Sequence, residues 1–503
     1  MSTLFDLLSG TDAHPALVAP GRPTITYGQL RANVLALAAE LNRIGLGRND
    51  RIAIAMANGP ELITAFFGVA VAATAAPLNP KYKQEELAFY YADTEARALV
   101  TMPGAIPAAV AAMLPGMMLL SVRADAAGHI VFDHIAGDVR PARATELAVP
   151  DDVAMVLHTS GTTSRPKRVP LRHRNLVAST RNIIKTYELS AADRALCIMP
   201  LFHIHGLVGS MMSTLASGGT LICPAGFNAM EFWSLIETFH PTWYSAVPTM
   251  HQMLLTRASR HEELLRRQPF RFIRSSSAPL PPVVMERLEQ TFGAPVLESY
   301  GMTEASHQMA SNPLPPHPRK AGSVGVGVGV EVGVMGAAGR LLGREQVGEV
   351  VVRGANVVDG YENNPDANTA AFTADGWFRT GDQGILDADG YLSLTGRLKE
   401  LINRGGEKIS PLEIDDVLLR HPAVAEALAF AVPHPMLGEE IHAAVVLRPE
   451  VEADEGQLRA HCATLLAEYK IPRRFHVLAE IPRGATGKLQ RIAMAKLLNL
   501  TGE

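Results

Sequence analysis

The chain has 503 residues, 47% apolar and 19% charged, enough to build a large core over several domains and too apolar for a disordered protein. Its 46 Lys and Arg against 50 Asp and Glu give a net charge of −4, which argues against a nucleic-acid-binding surface. Cys197, Cys223 and Cys462 stand far apart, so no disulfide framework or zinc-type spacing is present, and a reducing, cytoplasmic setting is expected.

The first ten residues carry Asp6 and no basic stretch, so no secretory signal is expected. Helical periodicity runs over residues 30–46 and closes on Gly45 and Gly47. Residues 51–56 read as a strand, and 60–73 as a helix with Pro60 in its first turn. The uncharged stretch 62–78 falls short of the roughly 20 residues of a membrane span and reads as a buried helix, so no membrane partner is expected. Short strands are expected at 99–100 and 118–122. The alternation continues to about residue 300 and predicts layered α/β structure with largely parallel sheets.

Beyond that point the texture changes. Residues 322–348 are rich in Gly and Val, and 349–353 and 390–394 read as antiparallel strands of a β-rich subdomain. From residue 396 the chain is charged, with helices expected at 411–419 and 455–468 and a strand at 443–447. We therefore expect a large N-terminal domain, 1–397, and a small, mobile α+β domain, 398–503.

The sharpest segment is His158-Thr159-Ser160-Gly161-Thr162-Thr163-Ser164-Arg165-Pro166-Lys167. Small hydroxyls and a glycine let backbone N–H groups approach an anion, and Lys167 adds charge. The segment follows an apolar strand, the usual ligand-binding edge of an α/β sheet. Taken alone it could be a solvated Ser/Thr loop. Walker A spacing is absent, since Gly487-Lys488 is followed by Leu489.

This loop resembles the phosphate-binding signature of the acyl-adenylate-forming superfamily of acyl-CoA synthetases, luciferases and adenylation domains. Tyr300-Gly301-Met302-Thr303-Glu304 is similar to its central motif, and Trp377-Phe378-Arg379-Thr380-Gly381-Asp382 to its ribose motif. Gly396-Arg397-Leu398-Lys399-Glu400 resembles the hinge and Pro482-Arg483-Gly484-Ala485-Thr486-Gly487-Lys488 the C-terminal lysine loop. The resemblance implies ATP, Mg2+ and CoA as reactants, with a carboxylate converted to acyl-AMP and then to a thioester.

It also implies roles for residues. Lys488, Glu304, Thr303 and His203 are candidates for catalysis, and Glu304 and Thr159 for magnesium. The nucleotide falls to Thr159, Ser160, Gly161, Thr162, Thr163, Lys167, Ser276, Ala278, Pro279, Glu298, Tyr300, Gly301, Met302, Thr303, Asp382, Arg397 and Lys488. Lys399 is the expected hinge. Gly405, Gly406, Arg404 and Lys408 are the expected CoA contacts. Two departures stand out: Arg168 replaces a usual glycine and is expected at a phosphate or in solvent, and residues 324–330 lack a proline.

The acid pocket has its own signals. Arginine inside the apolar strand 270–274, two histidines in His203-Ile204-His205, Ser306-His307 and the serines 275–277 do not suit a fatty acid. A second carboxylate on the substrate would need such donors, so His205, Arg274, Ser276 and His307 are the candidates. A structural ion pair for Arg274 is the competing reading, and a metal pair the competing reading for the histidines. In these details the chain resembles the oxalate–CoA ligase branch. Malonate, another short acid, or a carrier protein loaded in place of CoA remain alternatives. A monomer or weak dimer is expected.

Overall fold

The computed structural model describes residues 2–125, 129–159, 166–449, 451–483 and 489–500. Two large sheets dominate. The seven-stranded sheet runs Ile130–Ala136, Met118–Ala124, Ala98–Thr101, Arg51–Ile54, Thr74–Pro77, Val153–Thr159, Lys167–Arg172. Its five inner strands are parallel and its two edges antiparallel. The nine-stranded sheet has at its centre the parallel strands Thr220–Ile222, Arg194–Leu196, Trp243–Ala246, Phe272–Ser275 and Val296–Met302. Every residue of the helix Pro60–Ala72 is buried, as an all-round apolar helix requires. The expected α/β architecture is thus present.

Glu331–Met335, Val347–Arg353, Phe378–Leu386 and Leu392–Arg397 form a separate antiparallel sheet of four strands. The C-terminal part is a small α+β unit. Its five-stranded sheet joins Glu407–Ile409, Ile402–Arg404, Gly438–Leu447, Val424–His434 and Arg474–Val477, and its own core lies between Ile402 and Phe475.

Several boundaries differ from the sequence expectation for local reasons. The first helix is Tyr27–Arg43, because Thr26 and Gln29 form a capping box that starts it three residues early. Gly45, with φ +85°, takes the chain out of it. The late helix is only Glu455–Leu465, since Leu466 turns extended before the short turn Glu468–Lys470. The strand expected at 443–447 runs over Gly438–Leu447.

One ion cluster ties the C-terminal unit together. Arg491 reaches Asp415 Oδ2 at 2.7 Å and Glu400 Oε2 at 3.2 Å, beneath the strand Val424–His434. Removing one partner of a buried pair strands the other charge, at about 3–5 kcal/mol. Asp415→Ala is therefore expected to lower hydrogen-exchange protection in Val424–His434 by about 3 kcal/mol, Glu400 compensating in part. Unchanged exchange would remove Arg491 from any organising role.

Candidate active site

Three parallel strands end side by side, and their register builds the pocket. Ser245 pairs with Arg274, and Arg274 with Leu297. Arg274 is wholly buried. Its Nε donates to Tyr187 Oη at 2.9 Å and its Nη1 to Ser245 Oγ at 3.0 Å. Nη2 donates to His307 Nε2 at 2.8 Å and to Gln308 Oε1 at 3.0 Å. Among the described residues none of its hydrogen-bond partners is a carboxylate, and it joins no ion pair. The cage is neutral, so a full positive charge is buried without a counter-ion, a state that costs several kcal/mol unless an anion joins it.

Donor rules fix the protons here. A guanidinium can only donate, so Nε2 of His307 must accept, and the ring is neutral with its proton on Nδ1. His205, also fully buried, stacks on His307 with ring centres 5.2 Å apart and planes 20° from parallel. Its Nδ1 lies 2.9 Å from Ser277 Oγ and its Nε2 2.6 Å from Ser245 Oγ. Ser276 gives its proton to Ser299 O at 3.0 Å, which leaves Ser277 as the serine turned to His205. His203 caps the short helix Ile204–Gly206 by accepting from His205 N.

Backbone geometry makes this packing possible. Ser306 and His307 adopt φ +51° and +97°, a strained conformation for a histidine. A Cβ on Gly301 would lie 1.8 Å from His307 O, so only glycine lets the central motif pass. Gly209 sits in the π-helical stretch Leu207–Met212. A Cβ there would come within 2.5 Å of His307 Nε2 and 3.1 Å of Arg274 Nη1.

The nucleotide candidates line the adjoining edge. Asp382 Oδ1 accepts from Arg397 Nε at 2.9 Å, and its Oδ2 accepts from Tyr300 Oη. Glu298 accepts from Leu280 N at 2.8 Å. Ala278 and Pro279 follow Ser277, whose φ is +74°. Met302 ends the strand Val296–Met302, and Thr303 and Glu304 open the turn after it. Glu304 Oε1 accepts from Tyr361 Oη at 2.8 Å, and Lys167 Nζ lies 4.3 Å from the Tyr361 ring centre. Thr159 and Lys167 face each other across two paired antiparallel strands. Ser160, Gly161, Thr162, Thr163 and Lys488 lie outside the described residues.

Arg168 is not turned to solvent. Its side chain sits among Asp93, Glu95 and Glu362 and also donates to Asp93 O. In the C-terminal unit, Gly405 and Gly406 form a turn with φ +61° and +97°. Arg404 beside them pairs with Glu440 at 2.6 Å, and Lys408 lies in the strand Glu407–Ile409. Lys399 is exposed in the turn after Arg397. Among the described residues no group of three or more His, Cys, Asp or Glu could hold a metal ion, and no helix is long and apolar enough to cross a membrane.

Comparison with known proteins follows the same outline. The AMP-binding enzyme model matches residues 8–362 and that for the AMP-binding enzyme C-terminal domain residues 413–488. The chain belongs to the AMP-binding enzyme family. An oxalate–CoA ligase of Arabidopsis thaliana is 45% identical over 96% of this chain and 95% of its own length. A sulfoacetate–CoA ligase of Cupriavidus necator is 38% identical over 99% of this chain and 98% of its own. ATP-bound MatB from Rhodopseudomonas palustris superimposes with a TM-score of 0.87 at 29% identity, covering 99% of this chain and 98% of that one.

The AMP-binding fold of this chain also uses residues that pattern reading did not single out. Tyr187 and Gln308 hold Arg274, and Tyr361 bridges Lys167 and Glu304. Each is distant in sequence from the group it serves, so no local spacing marks it.

Glu298 is fully buried beside the C-terminal unit. Burial, reinforced by the nearby Asp416 carboxylate, pushes its carboxyl up to about 8. A raised carboxyl binds its proton more tightly folded than unfolded, so its contribution to stability is complete below the ordinary carboxylate range and declines as pH rises through about 8. Glu298→Gln keeps the acceptor for Leu280 N and is expected to flatten that decline. The variant should exceed the parent at pH 8 by an amount on the order of a few kcal/mol. Parallel urea-unfolding curves from pH 5 to 8 would contradict the buried, protonated carboxyl.

Proposed function

We propose that this AMP-binding enzyme is an ATP-dependent oxalate–CoA ligase, converting oxalate, ATP and CoA to oxalyl-CoA, AMP and diphosphate. The observation that carries the reading is the buried Arg274 charge in a neutral cage. A monocarboxylate spends its only charge at the reacting end and leaves Arg274 unpaired. A small dianion supplies the missing counter-charge with its distal group. Identity of 45% to an oxalate–CoA ligase supports that choice of acid.

The chemistry proceeds in two displacements. An oxygen of the near carboxylate bonds to the α-phosphorus, and the bond from that phosphorus to the diphosphate oxygen breaks, leaving oxalyl-AMP. The CoA sulfur then bonds to the acyl carbon, the bond to AMP breaks, and the thiol proton leaves to solvent. Lys488 is our candidate for stabilising the first transition state, where two anions meet. Glu304 fits a magnesium ion, being a hard oxygen donor whose orientation Tyr361 fixes. When bound, that ion neutralises phosphate charge. We assign Asp382 to accept from ribose hydroxyls; its hydrogen bonds from Arg397 and Tyr300, which fix the carboxylate, support that role. We assign Lys399 as the hinge between 1–397 and 398–503, whose rotation exchanges Lys488 for the Gly405-Gly406 turn, with Arg404 and Lys408 near CoA phosphates.

A second reading keeps every step and replaces oxalate by another small dianion. It is favoured by the sulfoacetate–CoA ligase relative, because Arg274 pairs with sulfonate as well as carboxylate. The test is CoA-dependent AMP formation from oxalate, sulfoacetate, malonate, glyoxylate, acetate and a long-chain acid. Preference for oxalate supports the first reading, and preference for a monocarboxylate rejects both. Arg274→Met is expected to reduce kcat/KM for oxalate by about 3–5 kcal/mol in transition-state stabilisation. An unchanged kcat/KM would return Arg274 to a purely structural role.

A further inference from the structure

We infer that Ser245 is a positioning residue: it sets the tautomer of His205 and so makes the Ser277 hydroxyl a donor to the substrate's distal anion. Only the last link rests on the proposed dianion reading; the others stand on hydrogen bonding alone.

The chain begins at a group with no choice. Arg274 Nη1 is a donor, so Ser245 Oγ, 3.0 Å away, accepts from it. Ser245 is itself buried, and among the described residues the other group at its hydroxyl is His205 Nε2 at 2.6 Å. The hydroxyl proton must go there, because a buried donor without an acceptor is the costlier arrangement. Nε2 is therefore bare, and a neutral ring then carries its proton on Nδ1. That proton is directed to Ser277 Oγ at 2.9 Å. Ser277 accepts, which frees its own proton for another partner.

Ser277 is placed to use it. It lies two residues beyond the strand Phe272–Ser275, which carries Arg274, and turns with φ +74° at a half-buried position. The neighbouring His307 is held neutral by Arg274 in the same way, which suits two rings stacked 5.2 Å apart. One buried guanidinium, that of Arg274, thus orders three groups in sequence: Ser245, His205 and Ser277. The pocket presents donors to its ligand, as recognition of an anion requires.

The test reads the tautomer directly. Full-length protein labelled with 15N-histidine, with His205 assigned by loss of its signal in His205→Asn, should show a bare Nε2 and a protonated Nδ1. In Ser245→Ala the His205 signals should shift toward the other tautomer, and KM for oxalate should rise about 10- to 100-fold. Ser245→Thr, which keeps the hydroxyl, should restore both. Ser277→Ala should raise the oxalate KM to a similar extent while His205 keeps its tautomer. A protonated Nε2 in the parent, or an unchanged tautomer in folded Ser245→Ala, overturns the inference. An unchanged oxalate KM in Ser277→Ala overturns its last link. Should the parent fail to activate oxalate at all, the functional reading falls, and the tautomer measurement still decides the role of Ser245.

Discussion

A guanidinium enclosed by a phenol, a serine, a histidine and a glutamine organises the acid pocket. The interior of a sheet is a poor place for an unpaired charge, and hydrogen bonds from neutral groups disperse it only partly. Arg274 nevertheless stands at zero exposure on a central strand. The arrangement becomes sensible when the binding partner is counted as part of it. In the proposed reading, the free enzyme holds a charge in readiness and the ligand completes the ion pair.

The surrounding backbone bends to serve that charge. His307 is carried at a positive φ so that its ring meets Arg274. Gly301 makes room for the carbonyl of that strained residue. On the opposite side the π-helical stretch brings the bare backbone of Gly209 against the same pair. Ser213 and Thr214 hydroxyls donate to the carbonyls of Gly209 and Ser210, which steadies the irregular turn. Strain and irregular helix geometry concentrate around Arg274 and His307, where we propose that the ligand is read, a pattern expected of functional sites.

Much of this was legible in the chain, and the limits are physical. The β-rich segment and the compact C-terminal unit showed as changes of texture, because antiparallel hairpins and charged helices have distinct compositions. Arg274 announced itself as a charge in an apolar run, although the run left open whether a carboxylate answered it. That question needed Tyr187 and Gln308, which meet Arg274 only after the helix His173–Tyr187 packs on the sheet and the strand His307–Ser311 joins it. Ser276 was the expected pocket serine, and a hydrogen bond to the Ser299 carbonyl takes its proton, while Ser277 faces His205. Arg168 departed from the usual glycine, and only the fold shows it fastened to Asp93 and Glu362.

The central claim is that a buried cation reads the second charge of the substrate. It is tested most directly by comparing equilibrium affinities of the enzyme for oxalate and oxamate in the presence of a non-hydrolysable ATP analogue. Oxamate keeps the near carboxylate and replaces the distal one by an uncharged amide of similar size. Oxamate is expected to bind at least about 100-fold more weakly, the cost of leaving Arg274 unpaired. Equal affinity for the two would contradict it.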